Sequence, residues 1–253
     1  MTSAIAMRDV ALKMGDARLL HEVNLDLQAG ETGVVIGETG SGKSSLLRLV
    51  LGLPGIQRED QIRIRGEVLV EGVSVFELSS GELQDLRRKI GLVKGDGGLI
   101  ENMDVRRNVA LPLAYHASAM RGDQIESRCE AVLADLGIAD LGRSGKRPVA
   151  LNQEERAYVS LARARIVEPT ILLADDPTLG LGVGASERLV GHLCGGGQMT
   201  RLITTSWLPP YIDRADRFYL LEDGRILPLG GVAELGACEH PWVRAELAGS
   251  RLD

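Results

Sequence analysis

Residues 37–44 read GETGSGKS, directly after the apolar run Val34-Val35-Ile36 and directly before residues 44–51, whose apolar side chains recur at helical spacing. A buried strand, a glycine-rich turn and a helix, in that order, make a unit whose backbone N–H groups converge on phosphate oxygens. Gly37, Gly40 and Gly42 let the backbone curl tightly enough to do this. Lys43 is placed to reach the β- and γ-phosphates, and the Ser44 hydroxyl to ligate Mg²⁺. The following helix adds the positive end of its dipole. The candidate nucleotide set is therefore Gly37, Glu38, Thr39, Gly40, Ser41, Gly42, Lys43, Ser44 and Ser45. The bland alternative, a glycine turn that merely precedes a helix, does not explain the buried strand in front of it.

Such a site needs an acid at the end of a second buried strand. The run ILLAD, residues 171–175, supplies Asp175, placed to hold Mg²⁺ through water. The alternative for Asp175 is an N-cap of the next helix. Outward from these two motifs, residues 5–12 and 19–27 alternate as antiparallel strands, and residues 68–75 form another strand with a turn at Glu71-Gly72. Helical spacing marks residues 81–88, 124–136, 154–166 and 185–193, and residues 202–205 form a third buried strand. Residues 218–221 and 225–227 flank Asp223-Gly224 as a hairpin. Alternating strands and helices predict an α/β fold with a largely parallel sheet. The expected layout is one domain: a core lobe at 1–77 and 169–230, an inserted helical lobe at 78–168, and a tail at 231–253. Gly195-Gly196-Gly197 reads as a flexible connector.

The chain has 253 residues, 44% hydrophobic and 25% charged, with a net charge of −6. That balance argues against a chain-wide basic surface for nucleic acid and leaves a local patch open. No uncharged stretch reaches the roughly 18 apolar residues of a membrane span, and the N-terminus lacks a signal-peptide core. Cys129, Cys194 and Cys238 are far apart and form no metal or disulfide pattern, as expected of thiols in a reducing compartment.

Over nearly its whole length the chain resembles the ATP-binding subunits of ABC transporters. The tract RPVALNQEERAYVSLARARIVEPTILLADDPTLGLG follows that family's signature helix, Walker B strand and D-loop, and ITTSW with RADRFYLLEDGRI follows its switch region. The resemblance implies a P-loop NTPase core of the ABC type, with an antiparallel β subdomain and an inserted helical subdomain. It also implies ATP with Mg²⁺ as ligands. The partners implied are a transmembrane permease and a second ATP-binding subunit, identical or not, and the location is cytoplasmic, on the inner face of the membrane. In the family, two subunits sandwich ATP, and each offers its signature to the other's phosphate loop.

Several family letters are changed. The signature, usually LSGGQ or LSGGE, is LNQEE, so Asn152, Gln153 and Glu154 face the partner's site. The catalytic glutamate corresponds to Asp176, a short candidate base, and the switch histidine to Ser206. The D-loop aspartate corresponds to Gly182, the Q-loop glutamine to Gly95, and the adenine-stacking aromatic, loosely, to Met14. An anion about 4 Å from a phosphate charge costs on the order of 4 kcal/mol at an effective dielectric near 20. Loss of a positioned base costs about 10²- to 10⁴-fold in rate. These changes predict ATP binding with weak or absent hydrolysis. The alternatives are a working ATPase with Asp176 as base, and an ATP-stabilised regulatory subunit. Lys94 reads as a solvated lysine rather than a compensating charge.

A narrower resemblance lies in GDGGLIENMDVRRNVALPLAYH, which is similar to the tract after the Q-loop in MCE-associated, Mla-type lipid transport ATPases. Met103, Val105, Asn108, Val109, Ala110, Pro112, Leu113 and His116 carry it, with Gly180 and the tail HPWVRAELAGSRLD in support. It implies lipid transport, a permease contact through about residues 95–118, and an MCE-type lipid-transfer partner. His116 reads as a surface or capping residue.

Overall fold

Continuous apolar runs form strands buried on both faces, and alternating runs form strands buried on one. The computed structural model describes residues 3–53, 62–116 and 120–249. In chain order the elements are β1 (Ser3–Met14), β2 (Ala17–Gln28), β3 (Thr32–Ile36), α1 (Lys43–Val50), β4 (Ile62–Val70), β5 (Val73–Ser74) and α2 (Ser80–Arg88). Then follow β6 (Ile90–Lys94), α3 (Val105–His116), α4 (Gly122–Asp135), α5 (Ala139–Arg143), α6 (Gln153–Arg165), β7 (Ile171–Asp175) and α7 (Val183–Cys194). The chain closes with β8 (Thr200–Thr205), β9 (Arg217–Glu222), β10 (Arg225–Gly230), α8 (Val232–Ala237) and α9 (Pro241–Gly249).

The chain forms two compact units. The first comprises residues 1–84 and 196–253. It holds an antiparallel sheet in the order β2-β1-β4-β5 and a mixed array in the order β10-β9-β3-β8. β3 is wholly buried and runs parallel to both β8 and β9, whereas β10 returns antiparallel to β9. The two expected turns are two-residue hairpins. Glu71-Gly72 has φ of 49° and 79°, and Asp223-Gly224 has 46° and 71°. Both positions of each turn are left-handed, which matches the twist of paired strands.

The second unit, residues 85–195, pairs β6 with β7 in parallel, from Ile90↔Ile171 to Lys94↔Asp175. α6 packs on β6 and on α3, and α3 packs on α4. This unit runs past residue 168 to take in β7 and α7, because β7 pairs with β6 and the ring of Tyr158 on α6 meets that of His192 on α7 edge-on at 5.6 Å. Gly195 and Gly196 fall at the boundary between the units. Among the described residues no helix is long and apolar enough to cross a membrane. The α/β class and the antiparallel piece agree with the sequence reading. Elements that pattern alone did not mark are β6, α3, α5, α8 and α9.

Candidate functional site: a phosphate loop and its surroundings

The glycines of residues 37–42 serve different needs. A Cβ on Gly37 would lie 2.4 Å from the Leu221 carbonyl oxygen, so only glycine lets the loop leave β3 beside β9. Gly40 and Gly42 have φ of 89° and 107°, in the left-handed region. Lys43 is buried, and its Nζ donates to the carbonyls of Gly37 and Glu38, each at 2.7 Å. Its ammonium is therefore held inside the curve of the loop. The Ser41 Oγ is buried there with no hydrogen-bond partner among the described residues. Ser44 and Ser45 occupy the first turn of α1, whose apolar side, including Leu46, Leu47, Leu49 and Val50, is buried. Glu38, Thr39 and Gly40 are exposed.

A cradle of backbone curvature, a buried cation and an unpaired buried hydroxyl fits a phosphate chain. Ser44 and Asp175 are hard oxygen donors of the kind Mg²⁺ takes. Among the described residues no group of three or more His, Cys, Asp or Glu could hold a metal alone.

Asp175 ends β7, half-buried, and its carbonyl accepts the Gly95 N–H at 2.9 Å. Asp176 follows with φ 44°, a left-handed conformation that short Asp tolerates better than longer side chains. Gly95 lies against it. A Cβ at Gly95 would stand 2.1 Å from the Asp176 carbonyl oxygen and 3.0 Å from Leu179 Cβ. A glutamine cannot occupy position 95 with these backbones in place. Ser206 follows β8, half-buried, and Gly182 is the N-cap of α7. Lys94 pairs with Asp96 at 3.4 Å, in keeping with a surface lysine.

The tract LNQEE forms the start of α6. Asn152 Oδ1 accepts the Glu155 N–H at 2.8 Å, and Glu155 Oε2 accepts the Asn152 N–H at 2.8 Å, a reciprocal cap. The Gln153 amide donates to the carbonyls of Gly95 at 2.7 Å and Leu179 at 3.1 Å. Glu154 Oε1 meets Arg188 Nη2 of α7 at 2.8 Å. That hydrogen bond raises the affinity of the Arg188 guanidinium for its proton. Each of the three signature letters thus has a partner within its own unit. The sequence reading singled out Asn152, Gln153 and Glu154 but missed Glu155 and Arg188. The Asn-x-x-Glu spacing could have announced the cap; nothing local announces Arg188.

Residues 20–179 match the family model described as "ABC transporter". The chain belongs to the ABC transporter family. It is 32% identical over 251 residues to the methionine import ATP-binding protein MetN of Rhizobium johnstonii, covering 98% of this chain and 65% of that protein. It is 33% identical over 179 residues to the probable ribonucleotide transport ATP-binding protein mkl of Mycobacterium leprae, covering 70% of this chain and 48% of that one. With the cell division ATP-binding protein FtsE of Escherichia coli it shares 32% over 216 residues, covering 84% of this chain and 92% of FtsE. The chain thus spans less than two thirds of the length of the MetN and mkl relatives. Among solved structures, the dimeric, post-hydrolysis ATP-binding cassette MJ0796 bound to ADP and Pi superposes with a TM-score of 0.77 at 28% identity. It covers 90% of this chain and 99% of that one.

In this ABC cassette the phosphate loop borders a cavity of about 580 Å³ that lies wholly within the first unit. Its walls include Arg18 and His21 of β2, Glu38 and Ser41 of the loop, Asp223 of the β9–β10 turn, and Trp242 of α9. Met14 is not among the lining residues; it ends β1 opposite Ala17 and Ile62. The sequence reading overlooked Arg18, His21 and Trp242, since none of them lies in a motif.

In the tract after Gly95, Arg163 of α6 donates to the carbonyls of Gly98 at 2.8 Å and Gly97 at 3.0 Å, and burial lowers its pKa. Asn108 is fully buried at the start of α3. Its Oδ1 accepts the Ile100 N–H at 2.7 Å, and its Nδ2 donates to the carbonyls of Ile100, Met103 and Asp104, each at 3.1 Å. The asparagine of the quoted motif therefore fastens loop 100–104 to the helix. The side chain of His116 and residues 117–119 lie outside the described residues. Asn108→Ala leaves several buried backbone groups unpaired, at about 1–3 kcal/mol for each one fully stranded. A loss of about 2–4 kcal/mol is expected in chemical denaturation, with ATP affinity kept, because none of the groups that the Asn108 amide bonds belongs to residues 37–45 or to Asp175. Unchanged stability would show that water replaces the amide at no cost.

Proposed function

We propose that the chain is the nucleotide-binding subunit of an ABC transporter, one that binds Mg-ATP through residues 37–45 and Asp175 and turns it over weakly or not at all. The observation that carries the reading is a contrast between two sets of residues. The phosphate loop has the form its ligand needs, with Lys43 buried in the curve and the Ser41 hydroxyl buried beside it. The positions expected to act on the γ-phosphate are committed elsewhere. Gly95 has no room for a side chain, Asp176 is short and left-handed, and the Gln153 amide is bound to two carbonyls. Glu154 brings a carboxylate, partly neutralised by Arg188, to the face that would meet a partner subunit.

Partners in this reading are a transmembrane permease, met through the tract from residue 95 onward, and a second ATP-binding subunit. Lipid is the proposed cargo, and an MCE-type protein the proposed companion, on the strength of the motif from Met103 to His116. Lipid recovered with the purified permease complex, and no binding of methionine, is the expected result; the reverse would replace lipid with the amino-acid cargo of the MetN relatives.

Turnover tests the catalytic part. The wild-type complex is expected to hydrolyse ATP well below about 1 s⁻¹, the low end of ordinary enzymes. Asp176→Glu is expected to stay there. Groups that act as one unit do not recover singly, and glutamate is less suited than aspartate to φ 44°. A rate of about 1 s⁻¹ or more in the Asp176→Glu complex would overturn the account of Gly95, Gln153 and Ser206 as lost functions.

A further inference from the structure

A second cavity, of about 350 Å³, lies on the antiparallel sheet of the first unit. A line of bulges shapes it. Asp9 of β1, Glu22 of β2 and Gly66 of β4 have φ of 49°, 48° and 80°, and both pairings of β1 shift register beside them. Bulges of this kind bend and twist a strand. Asn24 pins two of them: its Oδ1 accepts the Asp9 N–H at 3.0 Å, and its Nδ2 donates to Asp9 Oδ1 at 3.0 Å and to the Glu22 carbonyl at 3.1 Å. At the third, a Cβ on Gly66 would lie 2.4 Å from the carbonyl oxygens of Arg8 and Asp9. Past the bulges the three strands pair again, and Lys13 stands opposite Arg18 on one side and Arg63 on the other. Arg65 stands opposite Ala11, whose side chain is a single methyl group. Arg225, from the β9–β10 hairpin, completes the wall and meets Glu22 at 3.1 Å. Five cations thus line the cavity against the carboxylates of Asp9 and Glu22, in a chain whose net charge is −6. Like charges directly opposite each other destabilise a strand pair, and here three stand in one row. Lys13 has Asp16 at 3.9 Å, whereas Arg18, Arg63 and Arg65 have no ion-pair or hydrogen-bond partner among the described residues.

We propose that this cavity is a second anion site, which takes a small ligand bearing at least two negative charges on phosphate and holds it with Lys13, Arg18, Arg63 and Arg65. An anion seated there removes the repulsion along the row. The arginine forks match phosphate oxygens in pairs, and the lysine adds a point charge. The volume falls within the range of small-molecule sites. Free phosphate compounds and the phosphomonoester head group of a lipid share this chemistry. The inference does not rest on nucleotide binding: Lys13, Arg63 and Arg65 border this cavity and not the one beside the phosphate loop, although Arg18 borders both.

The test on the full chain has two arms: calorimetry with inorganic pyrophosphate, and sedimentation with phosphatidylcholine vesicles that contain or lack phosphatidic acid. Binding of pyrophosphate identifies a free phosphate ligand; binding only to the vesicles with phosphatidic acid identifies a lipid head group. In either arm the double variant Arg63→Thr/Arg65→Thr is expected to weaken binding at least about tenfold, the scale of one lost charge-assisted hydrogen bond. Threonine is favoured in strands, and the repulsion is relieved, so the ligand-free Tm of this variant is expected to equal or exceed that of the wild type. Arg63→Lys/Arg65→Lys keeps the charges and is expected to bind within about tenfold of wild type, which serves as the reference should threonine disturb the sheet. Arg8→Thr is the control for net charge, because Arg8 pairs with Glu67 on the same sheet and does not line the cavity; it is expected to bind like the wild type. Pyrophosphate binding that Mg-ATP abolishes and the arginine substitutions leave unchanged is binding at the phosphate loop, and overturns the proposal. Equal binding by wild type and Arg63→Thr/Arg65→Thr overturns it too, as does failure of the wild type to bind either probe. None of these results bears on nucleotide binding at residues 37–45, which the proposal leaves standing.

Discussion

Gly95→Gln, which would write the family's glutamine back into its loop, is expected to cost more than about 3 kcal/mol of stability and to restore no hydrolysis. The reason is backbone against backbone. A Cβ at position 95 would stand 2.1 Å from the Asp176 carbonyl oxygen. The two segments cannot part by the ångström or so that contact requires. Gly95 N–H is bonded to the Asp175 carbonyl at 2.9 Å, and β6 and β7 are paired up to Lys94↔Asp175. Separation would break that bond and strand its groups, on top of overpacking that itself costs about 1–3 kcal/mol. Gly95→Ala carries the same clash and should behave alike. For a chain of this size each kcal/mol lowers Tm by about 2–4 °C, so a fall of at least about 6 °C, or insoluble protein, is expected in thermal unfolding. Gly122→Gln is the control, because a Cβ there meets nothing within 4 Å. A Gly95→Gln protein that melts with the wild type would show that the 175–179 segment yields easily. The whole argument from a closed Q-loop position would then fail.

This clash shows what kind of information the sequence withholds. A glycine at 95 reads as a lost glutamine; that it is required there depends on the Asp176 carbonyl, just past the end of the neighbouring strand β7. The same holds for Glu154, whose partner Arg188 is 34 residues further on. Periodicity reports which face of a helix is apolar but not which distant charge lies opposite. By contrast, β3, its loop and α1 were legible, because an apolar run, glycines at fixed offsets and a helical repeat are all local. The hairpins at Glu71-Gly72 and Asp223-Gly224 were legible for the same reason: their turn chemistry is contained in two residues. α3 escaped notice because Pro112 lies inside it and reads as a breaker. Its start is held by Asn108 through loop bonds that no helical pattern encodes. Trp242 escaped for a third reason. Its helix is short, and its place beside the phosphate loop is set by His240–Glu222 and Glu246–Leu208, contacts made only in the folded chain.

Lys43→Ala is expected to reduce ATP affinity by about 10- to 100-fold and to lower the stability of the ligand-free protein as well. The two effects have one source. Lys43 Nζ donates to the carbonyls of Gly37 and Glu38 at 2.7 Å each, so the buried ammonium holds the loop in its curve. With nucleotide, the same ammonium is within the curve where the β- and γ-phosphates would lie, and a charge-assisted hydrogen bond of this kind is worth about 1.5–3 kcal/mol. Removing the cation therefore takes a positive charge from the phosphates and a brace from the cradle. The two contributions separate experimentally. Thermal unfolding without ligand reads the brace, and the added stabilisation at saturating Mg-ATP reads the binding, since that increment follows RT ln(1 + [L]/Kd). Lys43→Arg keeps the charge but is too long for the curve, so it should recover part of the affinity and little of the ligand-free stability. The Asp176→Glu protein should bind ATP like the wild type, because residue 176 forms no part of the loop. Equal ATP affinity of wild type and Lys43→Ala by calorimetry would mean that this chain does not hold nucleotide at residues 37–45. In that case the buried lysine would be no more than a structural pin at the head of α1.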